Sequence, residues 1–231
     1  EEAIVTQKKN IKYMESLYKV DSSNQTFILL YNNALDRLAE YLFNDEQFNS
    51  ALKIQQENLE LIQKVLKSDS DLIWINSYID TLTLTAYTYS KLDRVKEAIA
   101  TQEENIKYIE ELCKLEKDSC DNYYATALYN IAPFYVQNNQ LNEAIKFLED
   151  SHTIMKSLDK VDSPNLKLYS LVLARLAEYL FDDEQFNSAL KVKKESLVLI
   201  QIALKNDMDC RVDYISDLTD IALIYSKLDR V

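Results

Sequence analysis

The side chains able to do chemistry here are one histidine, three cysteines and many carboxylates. His152 has no second histidine with which to form an HExxH zinc site or a multi-histidine metal centre. No cysteine or carboxylate motif flanks it. It falls eight residues after Ala144, where other segments carry Leu59, Ile106 and Leu197, so a half-buried structural histidine is expected. Cys113, Cys120 and Cys210 are odd in number and lack metal-ligand spacing, which reads as free thiols in a reducing compartment. Cys113 and Cys120 lie across a helix end, where chance proximity rather than a disulfide is expected. Asn44-Asp45-Glu46 and Asp182-Asp183-Glu184 read as solubilising turn acids, because a calcium loop is longer and needs a glycine. Among 38 acidic residues, a pair of carboxylates has no diagnostic value for acid–base catalysis.

Absent residues exclude more. The chain has no glycine. A phosphate-cradling loop, a dinucleotide-binding turn and a nucleophile elbow all need one where the backbone turns sharply or meets a ligand. A non-enzymatic chain without metal or cofactor is therefore expected. Lys+Arg is 26 and Asp+Glu 38, a net charge of −12. That balance disfavours nucleic acid, which attracts basic stripes, and acidic membrane surfaces. Apolar runs such as Phe27–Tyr31 are far shorter than the roughly 20 residues of a membrane span. No signal peptide is visible, so a cytoplasmic location is expected. The chain opens on Glu1-Glu2 without a methionine and reads as a piece of a longer array.

The elements that position these residues are set by repetition. Leu38–Leu52 and Leu176–Leu190 differ only at Asn44 and Asp182. Tyr89–Val95 recurs unchanged as Tyr225–Val231. A shorter period lies within. Ala3, Ala51, Ala98, Ala144 and Ala189 recur at intervals of 48, 47, 46 and 45 residues. Twelve residues before the last four anchors stand Ala39, Ala86, Ala132 and Ala177, and sixteen before stand Leu35, Leu82, Leu128 and Leu173. Ala222 and Leu218 hold the same places in a final half unit. Offsets of three and four are helical, so each unit reads as helix A, a short polar turn and helix B, with small residues where the two cross. Ten helices are predicted, over 2–19, 25–43, 47–67, 71–91, 94–115, 121–138, 141–158, 164–181, 185–206 and 211–228.

This pattern resembles the tetratricopeptide repeat family, in its long-helix, kinesin-light-chain-like variety. The Leu, small, aromatic and Ala positions match at the right offsets, although the period exceeds the usual roughly 34 residues. The resemblance implies an all-α fold, a right-handed α-solenoid of antiparallel helix pairs. One solenoid domain is expected, made of a half repeat at 1–22, repeats at 23–69, 70–117, 118–161 and 162–208, and a half repeat at 209–231. Lys160–Leu166 resembles the loop that opens helix A, with Ser163 as N-cap and Pro164 first in the helix. The family's turn glycine is replaced by Glu46, Asp93, Asn139, Glu184 and Asp229. Glu tolerates left-handed backbone poorly, so the two Glu turns are expected to close differently. Pro133 inside a helix should kink it or remove a backbone bond.

The resemblance also implies a concave groove lined by helix A residues. Carried across, these are Asp36, Arg37, Glu40 and Phe43; Asp80, Thr83, Leu84, Tyr87 and Lys91; Thr126, Tyr129, Asn130 and Val136; Ala174, Arg175, Glu178, Phe181 and Asp182; and Thr219, Asp220 and Lys227. Arg37, Glu40, Phe43, Tyr87, Lys91, Tyr129, Asn130, Arg175, Glu178 and Phe181 are the candidate partner-binding set. Arginine can fork onto a carboxylate and aromatics can anchor apolar side chains. The alternative is structural: Phe43 and Phe181 pack on the next helix A, and Arg37 pairs with Glu40 or Asp36. Only Asn130 and Arg175 match the family's two-carboxylate clamp; Thr83, Tyr87 and Leu171 do not, and the clamp is rejected. The function implied is a protein- or peptide-binding scaffold for a neutral or basic partner. Alternatives are a regulatory arm of a larger protease or NTPase, or a solenoid that associates head to tail through its end helices.

Overall fold

The computed structural model describes residues 2–68, 71–115, 120–158, 163–205 and 210–229. All the regular structure among them is helical: α1 (Glu2–Val20), α2 (Gln25–Asn44), α3 (Phe48–Leu66), α4 (Leu72–Lys91), α5 (Val95–Leu115), α6 (Asp121–Gln137), α7 (Leu141–Ser157), α8 (Ser163–Asp182), α9 (Phe186–Lys205) and α10 (Arg211–Leu228). No helix among these residues is long and apolar enough to cross a membrane. The helices fall into two compact units, Glu1–Tyr108 and Ile109–Val231.

In the first unit α2 packs on α1 and α3, and α3 on α4. In the second, α6 through α10 pack each on the next, and α6 also touches α8. Side chains recurring every three or four residues make this stacking possible, because they fall on one helix face. Leu35, Leu82, Leu128 and Leu173 are all buried, as are Ala39, Ala86, Ala132 and Ala177 at the crossings. The helix B anchors Ala51, Ala98, Ala144 and Ala189 are sealed completely. Asn24 and Asp71 cap α2 and α4 through their side-chain oxygens.

The turns correct one expectation. Glu46, Asp93, Asn139 and Glu184 all take the same left-handed backbone, with φ of 57°, 60°, 59° and 58°. Each is followed by a residue whose N–H reaches five residues back: Gln47 to Leu42, Arg94 to Tyr89, Gln140 to Tyr135 and Gln185 to Leu180, at 2.8–2.9 Å. This is a Schellman closure, which satisfies helix-end carbonyls. The two Glu turns therefore close as the others do, because the paired hydrogen bonds outweigh the Cβ penalty. Asp229 differs, with φ −72°.

Pro133 lies within an uninterrupted α6 and has no N–H to give the Tyr129 carbonyl. Helix α8 begins at Ser163, but the Ser163 cap and the Pro164 side chain fall outside the described residues. The cysteine expectation also needs correction. Cys113 and Cys120 form a disulfide with a Cα–Cα distance of 5.4 Å, and Cys210 is half-buried. The end of α5 and the start of α6 approach within the separation a disulfide bridges, which sequence spacing could not reveal.

Candidate functional site

In α8, Leu173, Leu176, Ala177 and Leu180 turn into the core. Helical geometry then places Leu171, Ala174, Arg175, Glu178, Phe181 and Asp182 around the adjoining faces. With Tyr129 of α6, Lys193 of α9 and Ser216, Asp220, Leu223 and Ile224 of α10, they enclose a pocket of about 470 Å³ within the second unit. The Arg175 guanidinium carbon sits 4.2 Å from the centroid of the Tyr129 ring, a cation–π contact. One Arg175 terminal nitrogen, Nη1, is buried without a hydrogen-bond partner. Burial pushes the Tyr129 phenol up and the Arg175 charge opposes it. Phe181 lines the pocket while meeting Phe186 edge to face at 5.3 Å.

Lys193 forms the pocket's floor. It is 6% exposed and donates to Asp217 Oδ1 at 2.8 Å and Asp220 Oδ2 at 2.7 Å. Burial disfavours its charge, but the two carboxylates outweigh burial and hold its pKa above the ordinary lysine value. The pocket thus presents an apolar wall, an arginine donor and the carboxylates of Glu178, Asp182 and Asp220. Such a surface can grip a side chain and the backbone beside it. Among the described residues no cluster of His, Cys, Asp and Glu could hold a metal ion.

The remaining candidate residues are distributed as follows. Tyr129, Arg175, Glu178 and Phe181 come together in the pocket, and Asn130 is half-buried beside Tyr129 on α6. Arg37, Glu40 and Lys91 are exposed and Tyr87 is half-buried, all in the first unit. Phe43 meets Phe48 of α3 edge to face at 5.4 Å, so its packing partner is a helix B. Asp36 accepts from Asn58 Nδ2 at 2.6 Å and lies 3.3 Å from the Thr81 hydroxyl. Burial raises its pKa to about 6, against the hydrogen bonds from Thr81 and Asn58 and with the help of the Asp80 charge.

Sequence reasoning missed the polar residues buried along the B helices of each unit. Asn58 and Asn105 are buried seven residues after their anchors, and Ser151 and Ser196 hold the same place. Gln55 and Gln102 are buried four residues after theirs, the place of Lys193. The recurrence of polar types at fixed offsets from the anchor alanines was the available signal. His152 is half-buried as expected, but it has a partner from the next helix B. Its Nε2 lies 3.1 Å from Glu195 Oε1, and its ring stacks on Tyr169. Glu195 also accepts from Tyr169 Oη at 2.6 Å and Lys156 Nζ at 3.1 Å.

Residues 33–71 match the tetratricopeptide repeat family. No curated protein matches the chain. Among solved structures, BtubC (BKLC) from P. vanneervenii superposes with a TM-score of 0.75 at 17% identity, over 98% of this chain and 83% of that one. A kinesin light chain protein of Podosopora anserina with nearly identical TPR-like repeats gives 0.58 at 17% identity, over 86% and 97%. Aspartyl phosphate phosphatase F from Bacillus subtilis gives 0.60 at 12% identity, over 97% and 57%. At these identities the likeness is one of fold.

Proposed function

Residues 33–71 form a tetratricopeptide repeat in a chain with the fold of TPR-like repeat proteins, and from this premise we propose that it is a protein- or peptide-binding scaffold, not catalytic in itself. Such repeats commonly mediate protein–protein interaction, through surfaces that helix A lines. The observation that carries the reading is the pocket among α6, α8 and α10, where Arg175 keeps a buried nitrogen without a partner. A buried unsatisfied donor costs free energy that a ligand carbonyl or carboxylate recovers. The apolar wall of Leu171, Phe181 and Leu223 supplies the contact area. A net charge of −12 favours encounter with a neutral or basic partner, leaving Arg175 a local role.

Selection of peptides from a random display library on the immobilised chain tests this. Enriched peptides are expected to bind at least tenfold more weakly to Arg175→Ala, a loss of about 1.4 kcal/mol or more. Helicity should be unchanged. Equal affinity for both proteins would move binding away from this pocket.

A further inference from the structure

The near-copies Leu38–Leu52 and Leu176–Leu190 differ at one place, where Asn44 of the first is Asp182 of the second, and Asp182 lines the pocket of the second unit. Asp182 ends α8, and Glu178 stands one turn before it. Both are exposed and both line the pocket. Two carboxylates four residues apart on a helix repel each other. The C-terminal end of a helix is also the negative pole of its dipole, which favours cations and opposes acids. Helix α8 has no basic residue in its last turn to offset them.

The cations that line the pocket are engaged elsewhere. Arg175 lies over the Tyr129 ring. Among the described residues neither Glu178 nor Asp182 has an ion-pair partner. Lys193 is held by Asp217 and Asp220 at 2.8 and 2.7 Å, so two carboxylates already surround its single charge. The pocket therefore keeps an excess of negative charge at the end of α8, beside the apolar wall of Leu171, Phe181 and Leu223.

Resting on the reading of this pocket as a peptide site, we propose that it selects a lysine or arginine side chain of the partner. The alkyl stem lies on Phe181 and Leu223, and the cation meets Glu178 and Asp182. Long basic side chains cover apolar surface with their stems while the charged head stays in polar surroundings. The 45-residue interval from Leu173 to Leu218 sets Leu223 level with Glu178, and Asp220 level with Arg175. Arg175 is thus one turn from the cation site, where it donates to a backbone carbonyl of the partner. An acidic side chain in the same place would meet two carboxylates and the negative pole of α8. An apolar one would cover the wall and leave both charges unmatched.

The display selection on the immobilised chain supplies the probe. One enriched peptide is synthesised with a fluorescent label and titrated by anisotropy at two salt concentrations. It is expected to carry lysine or arginine. Exchanging that residue for its uncharged counterpart, norleucine for lysine or citrulline for arginine, should weaken binding about tenfold. Glu178→Gln and Asp182→Asn should each weaken it several-fold and flatten its salt dependence. Both residues are exposed, so circular dichroism should be unchanged. A fresh selection on the doubly substituted Glu178→Lys, Asp182→Lys chain should enrich acidic peptides instead. Peptides that lose affinity in Arg175→Ala but carry no basic residue overturn the inference and leave the pocket a peptide site. So do peptides that bind Glu178→Gln and Asp182→Asn as well as wild type. Peptides indifferent to Arg175→Ala, or no enrichment at all, overturn the peptide site together with its selectivity.

Discussion

Glu195 accepts hydrogen bonds from three side chains, Tyr169, His152 and Lys156. Burial raises its pKa, but hydrogen bonds from Tyr169, His152 and Lys156 prevail and lower it to about 2. A carboxylate depressed on folding adds stability that is fully present above its ordinary pKa, near 4.5, and lost as pH falls through about 2. Urea midpoints of the wild type should therefore exceed those of Glu195→Gln at pH 6, and the gap should close progressively between pH 4.5 and 2. A gap that persists at pH 2 would show that the carboxylate charge is not the source. This site illustrates what sequence conveys at the scale of single residues. The repeat register identified His152 as structural, but its partner comes from the next repeat, 43 residues on. Arg175, Glu178 and Phe181 were named from the resemblance to the family's groove positions, and the three line one pocket of the second unit. Lys193 was not named, since a lysine on helix B ordinarily reads as solvated and its buried partner Asp217 lies 24 residues further along.

At the scale of elements, the turns between helices A and B show how a chain without glycine builds glycine's usual corner. Four non-glycine residues accept left-handed backbone because two hydrogen bonds close each turn. Asn and Asp bear that conformation more easily than Glu. Glu46→Gly and Glu184→Gly should each raise stability by up to about 1 kcal/mol. Asn139→Gly should gain less. Chemical denaturation of the three variants decides it, and equal effects at all three would show that the side chains bear no conformational cost. The helices themselves were legible almost to the residue, because offsets of three and four from the anchor alanines fix both the face and the ends. The turn conformation was not, because it depends on hydrogen bonds between backbone groups that carry no residue signature. The Cys113–Cys120 bond was missed for a related reason: it depends on the angle at which α6 leaves α5.

At the scale of the whole molecule, division into two compact units predicts that damage stays local. Ala86 is sealed at the α4 crossing in the first unit. Ala86→Leu should overpack it and cost about 1–3 kcal/mol. Hydrogen exchange should accelerate in α2–α4 while α8 and α9 keep their protection, since repeats draw stability from neighbours. Uniform acceleration would mean that the chain unfolds as one, and no change would displace the repeat register. The buried Lys193 has a consequence for how the chain finds this structure. Leu38–Leu52 and Leu176–Leu190 are near-copies, so during folding α3 and α9 compete for the same berths. If the α8–α9 hairpin settled beside α4, Ala174 would stand in the place of Asp36 and Lys193 would meet Thr81 and Leu84, the counterparts of Asp217 and Asp220, and would be buried without a counter-charge. If α3 settled beside α10, Asp217 would be sealed against Gln55. Either mistake strands a charge at a cost of several kcal/mol, so one lysine and its two aspartates tell apart two nearly identical hairpins.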